Sequence, residues 1–516
     1  MPPGKVRWFD WSDEPFRKAQ AEDKPVVLDL TVSWSHGCRV MDQTTYGDDE
    51  VAGLLNRDYV PVRVDCDRRP DINDRYNLGG WPTTAFLTPE AELLGGSTYV
   101  ARDQMMQLLV RLRVSYQDKR QSISEEIARR DEKIAEMLNP QLHGAPPLSM
   151  EIFRKTVRGI VATFDQLHGG FGAAPKFPLV PSLRVILQAL HETQGPDFRH
   201  IVTKTLDAMG DRGMYDSEQG GFFHYVTNDV WTAPRFEKLC EENGALIRLY
   251  VDASLVTGKE KYLVKALHAI KWARGKLLDP ERGLFFGSQA ADDDYYGAAP
   301  EERAKRTPPP VDRTVFIPAS VTMAGAFLRA SQVTGSDELS ALALRGLDWI
   351  LKECVRAEGV AHYHDGAPRV FILARDPIVL GNGLLDAYDH TGDKKYLSAA
   401  ESMMEDVLRR FWSDSLKGIA DRAVDALDRG DLARSRRNMP ETAVAAENFA
   451  RLWHHTGAGR HRRCAEKLIL SYPDLLDGYG HPTAEYALAA DWLVRPAEEV
   501  KGTALRLFTP RRVVRA

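Results

Sequence analysis

The chain has 516 residues, 43% of them hydrophobic and 27% charged, the balance of a folded globular protein too long for one ordinary core. Lys plus Arg number 68 against 73 Asp plus Glu, a net charge of −5, which without a dense basic tract argues against nucleic acid as a partner. No run approaches the ~18 apolar residues that a membrane helix needs, and the N-terminus lacks the apolar core of a signal peptide. The five cysteines, Cys38, Cys66, Cys240, Cys354 and Cys464, are odd in number and scattered, so neither a secreted disulfide framework nor a spaced zinc motif is expected. The expected setting is reducing and cytoplasmic, with no metal or cofactor.

In chain order, Val26–Val32 is a short β-rich run suited to a central strand. The loop Ser33–Cys38 follows it and leads into a helix. Asp48 and Asp49 cap a second helix through Leu55. A second strand spans Tyr59–Asp65, and Gly79-Gly80-Trp81-Pro82 introduces a third over Thr83–Thr88, with a turn at Pro89–Glu92. From Asp103 to Leu138 apolar residues recur at helical spacing. Asn139-Pro140 ends that helix, and Gly144–Pro147 reads as the linker between two domains.

Strand, helix, strand, then a proline-initiated strand and a hairpin is the thioredoxin order. Ser35-His36-Gly37-Cys38-Arg39-Val40-Met41, Val64–Asp71 and Gly79–Pro89 resemble three motifs of the spermatogenesis-associated protein 20 family of thioredoxin-domain proteins. The family's first motif is Cys-x-x-Cys-His-Val-Met, so Ser35 stands where the attacking cysteine would be. Dithiol exchange within the motif needs that thiol, and serine cannot supply it. Cys38 is left as a candidate monothiol whose pKa a helix N-terminus and His36 would lower. Cys66, Trp81 and Pro82 are its expected neighbours, with the Trp81–Pro82 bond cis. A Cys38–Cys66 disulfide and a His36/Cys38/Cys66 metal site are further alternatives.

Beyond the linker the chain reads as helix with an internal repeat, a glycine loop recurring at Gly169, Gly220, Gly283, Gly359, Gly418 and Gly478. The spacings, 51 to 76 residues, each fit two helices and their connections. Six such hairpins can close into a ring whose apolar faces bury one another. The sequence thus predicts an α/β thioredoxin-like domain over 1–138, with a C-terminal linking helix, and an all-α (α/α)6 six-hairpin toroid over 150–516.

Gly169–Pro178 and Gly220–Tyr225 with Trp231–Lys238 are similar to segments in the same family's second half. The resemblance implies a toroid of the six-hairpin glycosidase and N-acylglucosamine 2-epimerase kind, with a funnel for a sugar-like molecule. Sugar chemistry calls for paired carboxylates or for bases facing a carbonyl. Glu237 and His224 are the candidate acid and base, with Trp231, Arg235, Phe171, Tyr225, Asp292, Asp376 and Glu441 as substrate-binding candidates and His362 and His364 as further bases. A Glu237–Lys238 ion pair is the structural alternative for Glu237. Arg235 stands where the family has histidine, and Glu241-Glu242-Asn243 where it has Tyr-Asp-Asn. Three readings remain open: a carbohydrate-directed toroid, a monothiol redox protein using Cys38, and a non-catalytic scaffold for a protein partner.

Overall fold

The computed structural model describes residues 6–118, 125, 129, 130, 133, 148–472, 480–495, 498–501 and 511–514. The chain divides into two compact units, one of Met1–Gln141 with Arg422–Arg436, the other of Leu142–Asp421 with Arg437–Ala516. Arg422–Arg436, which the sequence reading places in the second domain, groups with the first. The Gly144–Pro147 linker lies outside the described residues.

The first unit is thioredoxin-like. Its elements are α1 (Asp13–Glu22), β1 (Val26–Thr31), α2 (His36–Thr44), α3 (Asp49–Asp58), β2 (Val60–Asp65), α4 (Pro70–Tyr76), β3 (Thr83–Leu87), β4 (Leu93–Ser97) and α5 (Arg102–Asp118). The four strands lie in the order β2-β1-β3-β4, with β1 parallel to β2 and the other pairs antiparallel. β1 is the central strand its composition suggests, buried on both faces. Asp48 caps α3 through the Glu50 and Val51 amides at 2.9 and 3.1 Å. Val27, Met41, Leu55, Tyr59, Phe86 and Leu109 share one core cluster between sheet and helices. The Trp81–Pro82 peptide is cis, and Pro82 lies against Gly37 at the start of α2.

The second unit is a closed six-hairpin ring. Among its described residues, six inner helices run Val180–Thr193, Cys240–Thr257, Ile317–Thr334, Arg375–Thr391, Met439–Thr456 and Ala484–Val494. Each packs on the next, and the last packs on the first. The first five are followed by outer partners Pro196–Asp211, Glu260–Lys276, Asp337–Glu353, Lys394–Phe411 and Gly459–Ile469, while the sixth pairs with Met150–Val161. The ring therefore closes by joining the unit's first helix to its last long one.

The glycine-loop repeat has a physical basis. After each of five outer helices the chain forms a tight antiparallel hairpin, pairing Phe164 with Phe171, Tyr215 with Phe222, Leu278–Asp279 with Leu284–Phe285, Val355–Arg356 with Gly359–Val360, and Trp412–Ser413 with Gly418–Ile419. The sixth copy, at Gly478, lies outside the described residues. Gly220 shows why glycine recurs: its φ is +82°, and a Cβ there would sit 2.4 Å from the His268 carbonyl oxygen on the next outer helix.

A second repeat sits at the other end of the ring. Thr193, Thr257, Thr334, Thr391 and Thr456 end the first five inner helices, each hydroxyl donating to the carbonyl four residues earlier at 2.6–2.9 Å. The next residue adopts positive φ, glycine in all but the first. Inner helices thus end in two-residue turns and begin after long loops, so their N-termini gather at one mouth.

Candidate functional site

In the thioredoxin-like unit, Ser35 has become an N-cap: its Oγ accepts from the Cys38 amide at 3.4 Å. Cys38 is 3% exposed, and burial pushes its thiol pKa up despite hydrogen bonds with Thr31, Val32 and Ser35. The lowering expected from the helix N-terminus and His36 is therefore outweighed, because a thiolate is poorly solvated there. Cys66 is equally buried, and its thiol is pushed up further. Both cysteines are free thiols, and among the described residues no group of three His, Cys, Asp or Glu is arranged to hold a metal. Trp81, half-exposed, stands edge-on to Trp34 with ring centroids 5.5 Å apart, and Trp34 donates to Asp67 at 2.8 Å.

In the ring, several candidates prove to be scaffold. Trp231 is wholly buried, donates to the Gly169 carbonyl at 3.2 Å and fills the space a Gly170 side chain would need, so it offers no face to a ligand. Phe171 is buried between Phe164 and His481. Asp292 caps a short helix, Asp293–Tyr296, by accepting from the Tyr295 amide at 2.8 Å. Arg235 is exposed on a two-residue strand paired with Tyr225. Lys238, fully buried, bonds Asp216 at 2.6 Å and the Gly220 carbonyl at 2.7 Å, holding the second glycine hairpin. Lys176 holds the first in the same way through Asp165 and the Gly169 carbonyl.

Lys238 is thus committed to Asp216 and does not pair with Glu237. Glu237 is 6% exposed, and its Oε2 has no hydrogen-bond partner. Beside it stands His224, whose Nδ1 lies 2.8 Å from the Glu242 carboxylate. Burial opposes charge on His224, but the Glu242 hydrogen bond and the charges of Glu242 and Glu237 overcome it and hold the imidazole pKa above its usual value. Phe177 stacks on Tyr225 at 4.7 Å and meets His224 edge-on, placing an aromatic face beside this acid–histidine group.

The inside of the ring carries a charged set. An inner helix packs outward on its partner and sideways on two inner neighbours, so its solvent contact lies toward the lumen. Glu241 and Arg375, on the second and fourth inner helices, bond to one another, and about a third of each side chain still meets solvent (35% and 34%). Glu441 adds its field to Arg375, whose pKa the Glu241 charge drives up. Deeper, Arg248 bonds Asp386, and Arg451 reaches Asp386 at 2.7 Å, closing a floor. Gly325 of the third inner helix lies under this bridge, where a Cβ would come 3.0 Å from Asp386. Asp376 is fully buried and bonds the His362 Nδ1 at 2.8 Å, while its Oδ2 has no hydrogen-bond partner.

Between mouth and floor stand Arg184, Glu447 and Glu485, on the first, fifth and sixth inner helices. Among the described residues no hydrogen bond or salt bridge engages these three, although Glu447 is only 9% exposed. Burial raises the Glu485 carboxyl pKa, with Arg184 opposing and Glu447 reinforcing the shift. Arg184 and Glu485 are part-exposed, and uncommitted polar groups that reach water are what a small-molecule site requires.

Residues 3–139 match the family Thioredox_DsbH, described as a protein of unknown function, DUF255. Spermatogenesis-associated protein 20 of Homo sapiens is 28% identical over 313 residues, 56% of this chain and 39% of that protein. An uncharacterised protein of Caenorhabditis elegans is 29% identical over 303 residues, 56% of this chain and 41% of its own length. The chain therefore spans about two fifths of the length of these curated relatives. Among solved structures, a sugar epimerase from a ruminal bacterium superposes with TM-score 0.51 at 13% identity, covering 62% of this chain and 84% of that one. Cellobiose 2-epimerase from Spirochaeta thermophila gives 0.50 at 15%, covering 65% and 84%. At such identities the likeness establishes the six-hairpin fold. Among the described residues no helix is long and apolar enough to cross a membrane.

Of the residues singled out in the sequence, Glu237, His224 and Tyr225 lie near one another, and Asp376 and Glu441 begin two inner helices. Arg184, Arg375, Glu447 and Glu485 were not among those candidates. The available signal was polar residues interrupting otherwise apolar inner helices, which a reading centred on loops passes over.

Proposed function

We propose that the ring binds a small sugar-like molecule in its funnel and that the thioredoxin-like unit is a structural module without dithiol chemistry. The observation that carries this reading is the uncommitted trio Arg184, Glu447 and Glu485 between the Glu241–Arg375 bridge and the Arg248–Asp386–Arg451 floor. Carboxylates and a guanidinium without partners suit a ring of hydroxyl groups, which can donate to the first and accept from the second. Glu485, its carboxyl pKa raised by burial, supplies a proton donor beside Arg184 and Glu447. At the mouth, Glu237 and His224 are assigned as the acid–base group, with Tyr225 and Phe177 as an aromatic platform and Glu441 as a ligand contact. Asp376 fixes His362 rather than touching ligand. The fold neighbours named as sugar epimerases are in keeping with this reading.

The test is a thermal-shift and calorimetric screen against aldoses, ketoses, amino sugars and sugar acids. A hit should lose on the order of tenfold to a hundredfold in affinity in Glu447→Gln, the worth of a hydrogen bond to a charged group. Glu237→Gln should lower turnover more than binding. A sugar bound and turned over equally well by both variants would remove the assignment. A second reading, a non-catalytic scaffold, draws on the Glu241–Arg375 and Arg248–Asp386 bridges that span the ring's interior. Binding without turnover in every arm of the screen would favour it.

A further inference from the structure

We infer that Arg422–Arg436 is a clasp that the thioredoxin-like unit requires, with Asp71 as its receptor. The segment lies in sequence between two hairpins of the ring but belongs to the first compact unit. Asp71, in the first turn of α4, has a carboxylate only 1% exposed. Arg69 grips it with two hydrogen bonds, at 2.9 and 2.8 Å, and Arg422, itself 2% exposed, approaches from the segment at 3.2 Å. The Arg422 guanidinium also donates to the Leu432 carbonyl at 3.1 Å and pairs with Asp428, so the segment is folded around it. The Arg69-Pro70-Asp71 motif thereby has a structural role, presenting a buried acid to a cation supplied from far along the chain.

Three more attachments have independent chemistry. Arg434 bonds both oxygens of Glu92, at 2.9 and 3.1 Å, and its carbonyl accepts from Arg75 of α4 at 3.0 Å. Gly430, at φ +51°, passes so close to the Thr88–Glu92 turn that a Cβ would lie 2.1 Å from the Ala91 carbonyl oxygen. Arg429 lies over the Phe16 ring of α1, 4.5 Å from its centroid. The receptor surface is thus acidic and aromatic, drawn from α1, α4 and the turn before β4, and the occupant is an arginine-bearing segment of the same chain. Without it, Arg69 alone would face Asp71, and Glu92 would lose its Arg434 partner. The thioredoxin-like unit is therefore completed only after the ring's fourth pair of inner and outer helices has been made.

Hydrogen–deuterium exchange on the full chain tests this with variants confined to the segment. In Arg422→Ala and in Gly430→Val, amides of Pro70–Tyr76 and Thr88–Glu92 should exchange on the order of tenfold or more faster, while inner-helix amides keep their rates. Should Arg422→Ala fail to fold, Arg434→Ala removes the part-buried contacts with Glu92 and Asp431, and faster exchange confined to Thr88–Glu92 and α4 is then expected. Wild-type rates at those amides in the variants that fold would overturn the inference, showing a segment that rests on the unit without supporting it.

Discussion

Ser35 and Cys38 show how one residue changes what a motif-bearing loop can do. Ser35 keeps the structural part of the position, capping α2, and loses the chemical part, since a hydroxyl cannot open a disulfide. Purified protein should not reduce insulin disulfides with dithiothreitol as donor; thioredoxin-like rates would show that another cysteine completes the pair. Alkylation of Cys38 by iodoacetamide at pH 7.5 should run on the order of a hundredfold slower in the native than in the unfolded chain, because burial suppresses both access and ionisation. Equal rates, read by mass spectrometry, would contradict that environment. Nearby, Asp29 on β1 is raised to about 6 by burial, against Arg63 and with Asp42 and Tyr46 in contact with the same network. The folded unit therefore holds this proton more tightly than the unfolded chain does. Its stabilising contribution is present below about pH 4 and is lost as pH rises through about 6, a span worth no more than about 3 kcal/mol. Unfolding of wild type and Asp29→Asn, followed across that window, should show the decline in the wild type alone. The serine, the histidine and the cysteine were legible in sequence; the raised thiol was not, because burial is a property of the packed unit.

At the scale of elements, the strands and helices of the first unit were legible because β-branched runs, caps and glycine–proline punctuation agree locally. The ring was legible through its Asp–Gly hairpins, whose glycines are demanded by backbone approach. The Thr–Gly turns closing the inner helices are as regular and were passed over, because a lone threonine before glycine carries no chemistry. Lys176 and Lys238, conspicuous in the motifs, hold the first and second hairpins. Gly220→Ala should cost at least about 2 kcal/mol, since alanine meets both positive φ and the His268 carbonyl. His481 is a different kind of tie, placed between Thr163 Oγ1 at 2.6 Å and Ser182 Oγ at 2.7 Å, where the ring's last hairpin meets its first. His481→Ala leaves those hydroxyls without this partner and should lower the urea midpoint by an amount equivalent to about 1–3 kcal/mol. An unchanged midpoint would mean that the closure rests on apolar packing alone.

For the molecule as a whole, sequence pattern reached the two folds, and the structure supplied what pattern cannot carry. Arg184, Glu447 and Glu485 stand far apart in sequence on three helices, and only ring closure gathers them. Arg422–Arg436 looks like an ordinary loop of the ring, and only contact shows it completing the other unit. Whether the funnel is a ligand site is decided most directly by a crystal structure of the full chain grown with a sugar chosen by the thermal-shift screen. Ordered sugar hydrogen-bonded to Arg184, Glu447 and Glu485 is the expected result. A sugar bound only outside the ring, with these three side chains lying in water, would contradict it.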